Sequence, residues 1–219
     1  MEAHEKLKQQ VMSNVQTFVE VKEQRNSKKK QVGILGGNFN PVHIAHLIMA
    51  DQVGRSLGLE KVYLMPSNEP PHVDPKETID VSDRLKMLEL AIADNPLLDI
   101  EKSEINRQGK SYTYETMKIL TEKYPDTDFY FILGGDMVEY LPKWYKVDEL
   151  MQLVQFVGVK RPNYPTETSY PIIWIDVPDM NISSTDLRKK IAQGCSVNYL
   201  LPENVLHYIQ EKGLYLDEI

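Results

Sequence analysis

From Gln31 onward the chain alternates between two hydrophobic periods, and that alternation restricts the fold more than any other feature. Short apolar runs occupy Val32–Leu35, Val62–Met65, Phe129–Leu133, Phe156–Val159 and Ile172–Ile175, and the first three stop at glycine or proline. Between them lie helical patterns over His43–Leu57, Asp83–Ala93, Tyr112–Lys123, Ser184–Gln193 and Asn204–Glu211. A further strand is predicted over Leu98–Ile105, and a short helix ends within Leu150–Leu153. Gly194 and Gly213 follow the last two helical patterns and read as stops. Strands separated by helices of this length pair in parallel, with the helices covering both faces. The expected fold class is α/β: a doubly wound, Rossmann-like parallel sheet forming one domain over residues 31–219.

Residues 1–30 do not share this pattern. Leu7, Val11, Val15 and Phe18 recur at helical spacing, and the segment then turns basic through Lys22, Arg25, Lys28, Lys29 and Lys30. An N-terminal helical extension and tether is predicted; it either docks on the body or a partner, or is a charged, frayed appendage. A chain of 219 residues suits one domain with such an addition. The net charge of −7 leaves no cation excess for coating nucleic acid non-specifically. A single cysteine, Cys195, permits neither an internal disulfide nor a cysteine zinc cage and suits a reducing cytosol. No apolar run reaches the roughly 18 residues of a membrane span, and Met1–Gln10 has no secretory h-region. A cytoplasmic protein with neither a membrane nor a nucleic-acid partner is expected. A homo-oligomer is compatible with the sequence, which does not specify one.

Chemistry concentrates in Gly36-Gly37-Asn38-Phe39-Asn40-Pro41-Val42-His43-Ile44-Ala45-His46, between the first strand and the first helix. Two glycines there allow a sharp turn and exposed backbone N–H groups. The helix N-terminus adds a fixed partial positive charge. His43 and His46, three residues apart, share a face of the first turn and supply donors or cations. Together these make an anion site suited to a polyphosphate. The segment is neither a Walker loop nor the dinucleotide fingerprint. Metal ligation lacks a third ligand at a convincing spacing, and a structural role for the two histidines stands beside the anion-binding one. Asn68–Asp80, rich in proline and acid, reads as a long loop at a strand's C-terminal end, where open α/β sheets bind ligands.

A second segment, Ile182-Ser183-Ser184-Thr185-Asp186-Leu187-Arg188, opens a helix. Ser183 or Ser184 is a good N-cap, and ordinary capping accounts for the segment. Its hydroxyls, N–H groups and Arg188 also suit a second phosphate-facing helix N-terminus.

In these two segments the chain resembles the bacterial nicotinate-nucleotide adenylyltransferases of the nucleotidyltransferase superfamily. The resemblance covers about residues 31–216. The first family motif, G-G-x-F-x-P-x-H-x-G-H, is matched from Gly36 to His46 except at Ala45, and the second, I-S-S-T-x-x-R, is matched in full. Pro70-Pro71-His72, Ser111-Tyr112-Thr113, Gly134-Gly135-Asp136 and Tyr140–Tyr145 also look like this family. The resemblance implies transfer of the adenylyl group of ATP to nicotinate mononucleotide, giving deamido-NAD and pyrophosphate in NAD biosynthesis. It implies catalytic roles for His43, His46 and Arg188 on the ATP phosphates. It assigns ATP binding to Gly36, Gly37, Asn38, Phe39, Gly134, Asp136, Ile182, Ser183, Ser184 and Thr185. It assigns the mononucleotide to Asn40, Thr113, Lys143, Trp144 and Tyr145, with the Trp144 indole stacked on the pyridine, or else anchoring its loop. Mg²⁺ is the implied cofactor, bridged by substrate phosphates and without a protein cage.

Two positions depart from the family pattern. Ala45 replaces a glycine near the ligand, and Val73 stands after Pro-Pro-His where lysine is common, removing a cation from that loop. The alternatives are an adenylyl- or cytidylyltransferase for another phosphorylated acceptor, and a nucleotide-sensing module without turnover.

Overall fold

The computed structural model describes residues 29–69, 78–160 and 167–217. Of the helix and tether expected over residues 1–30, residues 1–28 lie outside the described residues, as do Pro70-Pro71-His72 and Val73. The body begins with β1 (Lys30–Gly37), followed by α1 (Ile44–Leu57), β2 (Lys61–Pro66), α2 (Val81–Ile92) and β3 (Leu98–Ile100). Then come α3 (Ser103–Arg107), α4 (Thr113–Lys123), β4 (Thr127–Gly134) and α5 (Gly135–Tyr140). A 3-10 turn (Leu141–Lys143) leads into α6 (Val147–Leu150), β5 (Gln155–Val159), β6 (Ile172–Ile175), α7 (Ser184–Ala192) and α8 (Glu203–Lys212).

The six strands form one sheet in the order β3-β2-β1-β4-β5-β6. The pairs β1–β2, β2–β3, β4–β5 and β5–β6 are all parallel. The order reverses between β1 and β4, so a crevice opens beyond the C-terminal ends of those two strands. Both motif-bearing strand ends, Gly36-Gly37 and Gly134, lie at this point.

Strand alternation sends side chains to two cores. On one face Ile34, Phe129, Phe131 and Phe156 pack with Met117 and Leu120 of α4, Val138 of α5 and Leu150 of α6. On the other, α1 lies so close to β2 that a Cβ on Gly54 would come within 2.7 Å of Val62. Gly194 and Gly213 terminate their helices in the left-handed region, as their positions predict.

The strand expected over Leu98–Ile105 ends at Ile100. The Glu101 carboxylate accepts from Ser103 N–H (2.8 Å) and from Ser103 Oγ (2.6 Å), turning the chain into α3. The segment after β4 is helical: Gly135 starts α5 directly and Leu141–Lys143 continues it.

Candidate active site

The turn between β1 and α1 is not made by the two glycines. β1 runs through Gly37, registered opposite Pro66, and neither glycine has a positive φ. The chain turns at Phe39, with φ 50, followed by a cis Asn40–Pro41 bond. The glycines instead make room for rings: a Cβ on Gly36 would lie 3.1 Å from Phe131, and one on Gly37 3.1 Å from Phe39. Phe39 is buried and meets the His46 ring edge-on at 5.0 Å, so its side chain supports a histidine from below.

His43 is the N-cap of α1 and forms a reciprocal capping box with His46. The His43 N–H donates to His46 Nδ1 at 3.3 Å. An accepting Nδ1 leaves the neutral imidazole's proton on Nε2, so His46 presents a donor away from its own helix. The two imidazoles stack with centroids 3.6 Å apart.

The second motif is bolted to the first. Ser184 Oγ donates to the Pro41 carbonyl at 2.9 Å, and Arg188 Nη1 donates to the Asn40 carbonyl at 3.0 Å. Ser183 caps α7 by accepting from Asp186 N–H at 3.1 Å, the capping role its position suggests. The two serine hydroxyls and Arg188 therefore have structural partners here, whereas Thr185 is exposed at the helix start. Asn40 is 1% exposed; its side-chain oxygen accepts from the Tyr215 hydroxyl at 2.9 Å, which makes it a buried strut rather than a surface ligand. Beside α1, an open cleft is lined by Ala45, Ile48, Met49, Val159, Lys160 and Val177–Met180. Ala45 is itself buried at the edge of this cleft, so its methyl takes up room that a glycine would leave open.

Gly134 is the N-cap of α5, and Asp136 lies half-buried in its first turn, beside the end of β1. Thr113 opens α4, and the neighbouring Tyr112 ring lies 4.9 Å from Tyr145, so the Thr113 and Tyr145 segments meet. Lys146 sits over the Tyr114 and Tyr145 rings at 4.7 and 5.2 Å. Lys143 lies over the exposed Tyr140 ring at 4.6 Å. Trp144 is half-buried, edge-to-face with Phe131 (5.9 Å) and Phe156 (6.4 Å), and is part of the core's margin. Its ring partners lie on β4 and β5, so the indole anchors its segment to the sheet. Phe131 touches both Trp144 and the Gly36 position, so a single ring separates the two groups of candidate residues.

Arg84 was not apparent as a site residue. It is 2% exposed and its Nη1 donates to Asn38 O (2.9 Å), Asn38 Oδ1 (3.1 Å) and Ser67 O (2.8 Å), tying the ends of β1 and β2. Burial pulls its pKa down, and the fields of Tyr215 and Asp80 oppose the shift. Asn38 Nδ2 donates to Thr78 Oγ1 at 3.0 Å, so the Asn38 side chain also serves the scaffold. Its signal was present: Arg84, Met87 and Leu88 occupy one buried helical stripe, and arginine in such a stripe needs partners. Nearby, burial pushes the Glu104 carboxyl up, against hydrogen bonds from Ser111 and Thr116.

A doubly wound sheet with two helix N-termini fastened together at its switch point defines the class, and residues 34–190 match the cytidylyltransferase-like family. The chain is 65% identical over 212 residues to the "Probable nicotinate-nucleotide adenylyltransferase" of Enterococcus faecalis, covering 97% of each protein. A protein of the same description from Streptococcus pneumoniae is 63% identical, over 93% of this chain and 96% of that one. The chain belongs to the nicotinate-nucleotide adenylyltransferase family. In fold it is similar to Plasmodium falciparum nicotinic acid mononucleotide adenylyltransferase complexed with NaAD, with a TM-score of 0.73 at 20% identity, covering 85% of this chain and 97% of that one.

Proposed function

We propose that this enzyme transfers the adenylyl group of ATP to nicotinate mononucleotide, releasing pyrophosphate and forming deamido-NAD. The observation that carries the reading is the pair of bonds Arg188–Asn40 and Ser184–Pro41, which brings both motif helices to one crevice. The attacking phosphate monoester is largely ionised at neutral pH, so the reaction needs no general base. The protein's task is alignment of two polyanions and stabilisation of charge on the leaving pyrophosphate. In this reading the His46 Nε2–H, the His43 imidazole, Arg188 and the first turns of α1 and α7 face the triphosphate. The nucleoside enters the cleft beside Ala45. The Thr113 hydroxyl and the Tyr145 N–H receive the nicotinate carboxylate, and the half-buried Trp144 indole stacks on the pyridine.

Among the described residues no group of three or more His, Cys, Asp or Glu side chains converges on one point. A small hard cation held chiefly by phosphate oxygens and water fits that donor set, with Asp136 the carboxylate at the switch point. When bound, Mg²⁺ neutralises phosphate charge; the chain's own contribution is positioning and hydrogen bonding. No helix among the described residues is long and apolar enough to cross a membrane. A cytosolic setting completes the reading and suits the exposed thiol of Cys195.

The test is pyrophosphate release from ATP with a panel of acceptors. Nicotinate mononucleotide is expected to be used best, ahead of nicotinamide mononucleotide and of non-pyridine phosphates. ATP binding without pyrophosphate release from any acceptor, or a better non-pyridine acceptor, refutes it.

A further inference from the structure

The turn that carries the two histidines is held by a residue outside both motifs. Tyr215 is 5% exposed, and its hydroxyl donates to Asn40 Oδ1 at 2.9 Å. The carbonyl of the same asparagine accepts from Arg188 Nη1 at 3.0 Å. One residue therefore receives the C-terminal segment on its side chain and the arginine on its backbone. The delivery is specific. α8 stops at Gly213 with φ 63, and Leu214 N–H bonds back to the Ile209 carbonyl at 3.0 Å, swinging the chain toward β1. Tyr215 itself has φ 66. A non-glycine residue persists in that region only where its surroundings over-determine it. Here the buried ring and the engaged hydroxyl do so. Arg84, which holds Asn38 two residues before Asn40, interacts electrostatically with the same tyrosine.

We propose that Tyr215 is a positioning residue for ATP: its hydroxyl orients Asn40, and through the Asn40 carbonyl sets where the Arg188 guanidinium stands. This rests on the assignment of Arg188 to the ATP phosphates. Without the Tyr215 bond the Asn40 side chain no longer pins its turn, so the backbone there can shift and carry with it the carbonyl that Arg188 is tied to. The effect falls on ATP rather than on the acceptor, because the relay ends on Arg188, which is assigned to the ATP phosphates, whereas Thr113 and Tyr145 are assigned to the acceptor.

Tyr215→Phe tests it, since the ring stays and only the donor goes. Removing one neutral hydrogen bond predicts a rise of about three- to tenfold in the KM for ATP and in the Kd for a non-hydrolysable ATP analogue. The KM for nicotinate mononucleotide moves by less than about twofold, and Tm falls by no more than about 4 °C. In an Asn40→Ala background the same substitution adds nothing, because the relay is already cut. An unchanged Kd for the analogue overturns the proposal, as do equal rises in both KM values or an undiminished effect beside Asn40→Ala. The Kd and KM comparison decides even where Asn40→Ala fails to fold. If the wild type releases no pyrophosphate, the proposed function fails, and the analogue Kd still decides the relay.

Discussion

Arg84→Met is expected to destabilise the protein by about 2–4 kcal/mol, and the size follows from how the guanidinium is held. The side chain is 2% exposed, and its Nη1 serves three oxygens at 2.8–3.1 Å. One Nη1 carries two hydrogens, so the three acceptors share about two bonds' worth of stabilisation. At about 1.5–3 kcal/mol for each hydrogen bond to a charged group, the loss is roughly 3–6 kcal/mol. Against this, methionine removes the desolvation of a buried cation whose Nε has no hydrogen-bond partner among the described residues. That relief offsets part of the loss and leaves the net figure stated. For a domain of this size about 2–4 °C of Tm accompanies each kcal/mol, so the midpoint should fall by roughly 4–16 °C. Denaturant unfolding supplies the free energy and calorimetry the midpoint. Lys102→Ala serves as control, because its ion pair with Glu89 at 3.3 Å is exposed at both ends and contributes no more than about 1 kcal/mol. Activity well below both midpoints should also fall, since Arg84 fixes Asn38 at the end of β1. A loss of stability below about 1 kcal/mol would show that the surroundings satisfy Asn38 and Ser67 without the arginine, and the argument from three stranded acceptors would be wrong.

Three further expectations can be measured alongside. Trp144→Ala should cost about 2–3 kcal/mol, because two edge-to-face contacts and half of the indole's burial go, and should raise the acceptor KM about 5- to 30-fold while the KM for ATP moves less than threefold; equal KM effects would leave the residue only its packing role. His46→Ala should lower turnover about 10²-fold or more and stability by roughly 1 kcal/mol for the lost cap, measured by pyrophosphate release and urea unfolding; a near-normal turnover would confine the ring to capping. Glu104 has its carboxyl raised by burial, so the folded state holds the proton more tightly than the unfolded chain and the wild type loses stability as pH rises above the ordinary glutamate range of about 4.5. Glu104→Gln should remove that loss, so its Tm relative to wild type should increase from acid to neutral pH; a difference independent of pH would mean that the carboxyl titrates normally in the fold.

The elements that a one-dimensional period reports were legible. All six strands were found, five of them from their own apolar run, and α1, α2, α4, α7 and α8 were found from residues three or four apart. What failed depended on partners the local pattern does not contain. Leu98–Ile105 reads as a strand until the Glu101 carboxylate is seen capping Ser103. Gly36-Gly37 reads as a turn for a ligand until the rings of Phe131 and Phe39 are found where side chains would stand. Both roles are compatible, since the space that admits a ring below the strand says nothing about what approaches from above.

The candidate site shows the same division more sharply. Its motif residues were named from short segments, yet the bonds that make them one site span long separations. Ser184 and Pro41 are 143 residues apart, Arg188 and Asn40 are 148 apart, and Tyr215 and Asn40 are 175 apart. The first two were within reach of sequence reasoning because the doubly wound order brings strand ends and the helices after them to a single switch point. Topology implies no such meeting for Tyr215, which follows the last helix and belongs to no strand end. Only the left-handed stop at Gly213 sends it inward, and a glycine after a helix specifies where the chain turns but not what it then touches. Arg84 lies between these cases: its place on a buried helical stripe required that it find acceptors, while their identity as Asn38 and Ser67 required the packed sheet. The reacting groups of such a site are therefore easier to read than the residues that aim them, because phosphate chemistry limits which side chains face the substrate, and many different buried donors can orient one asparagine.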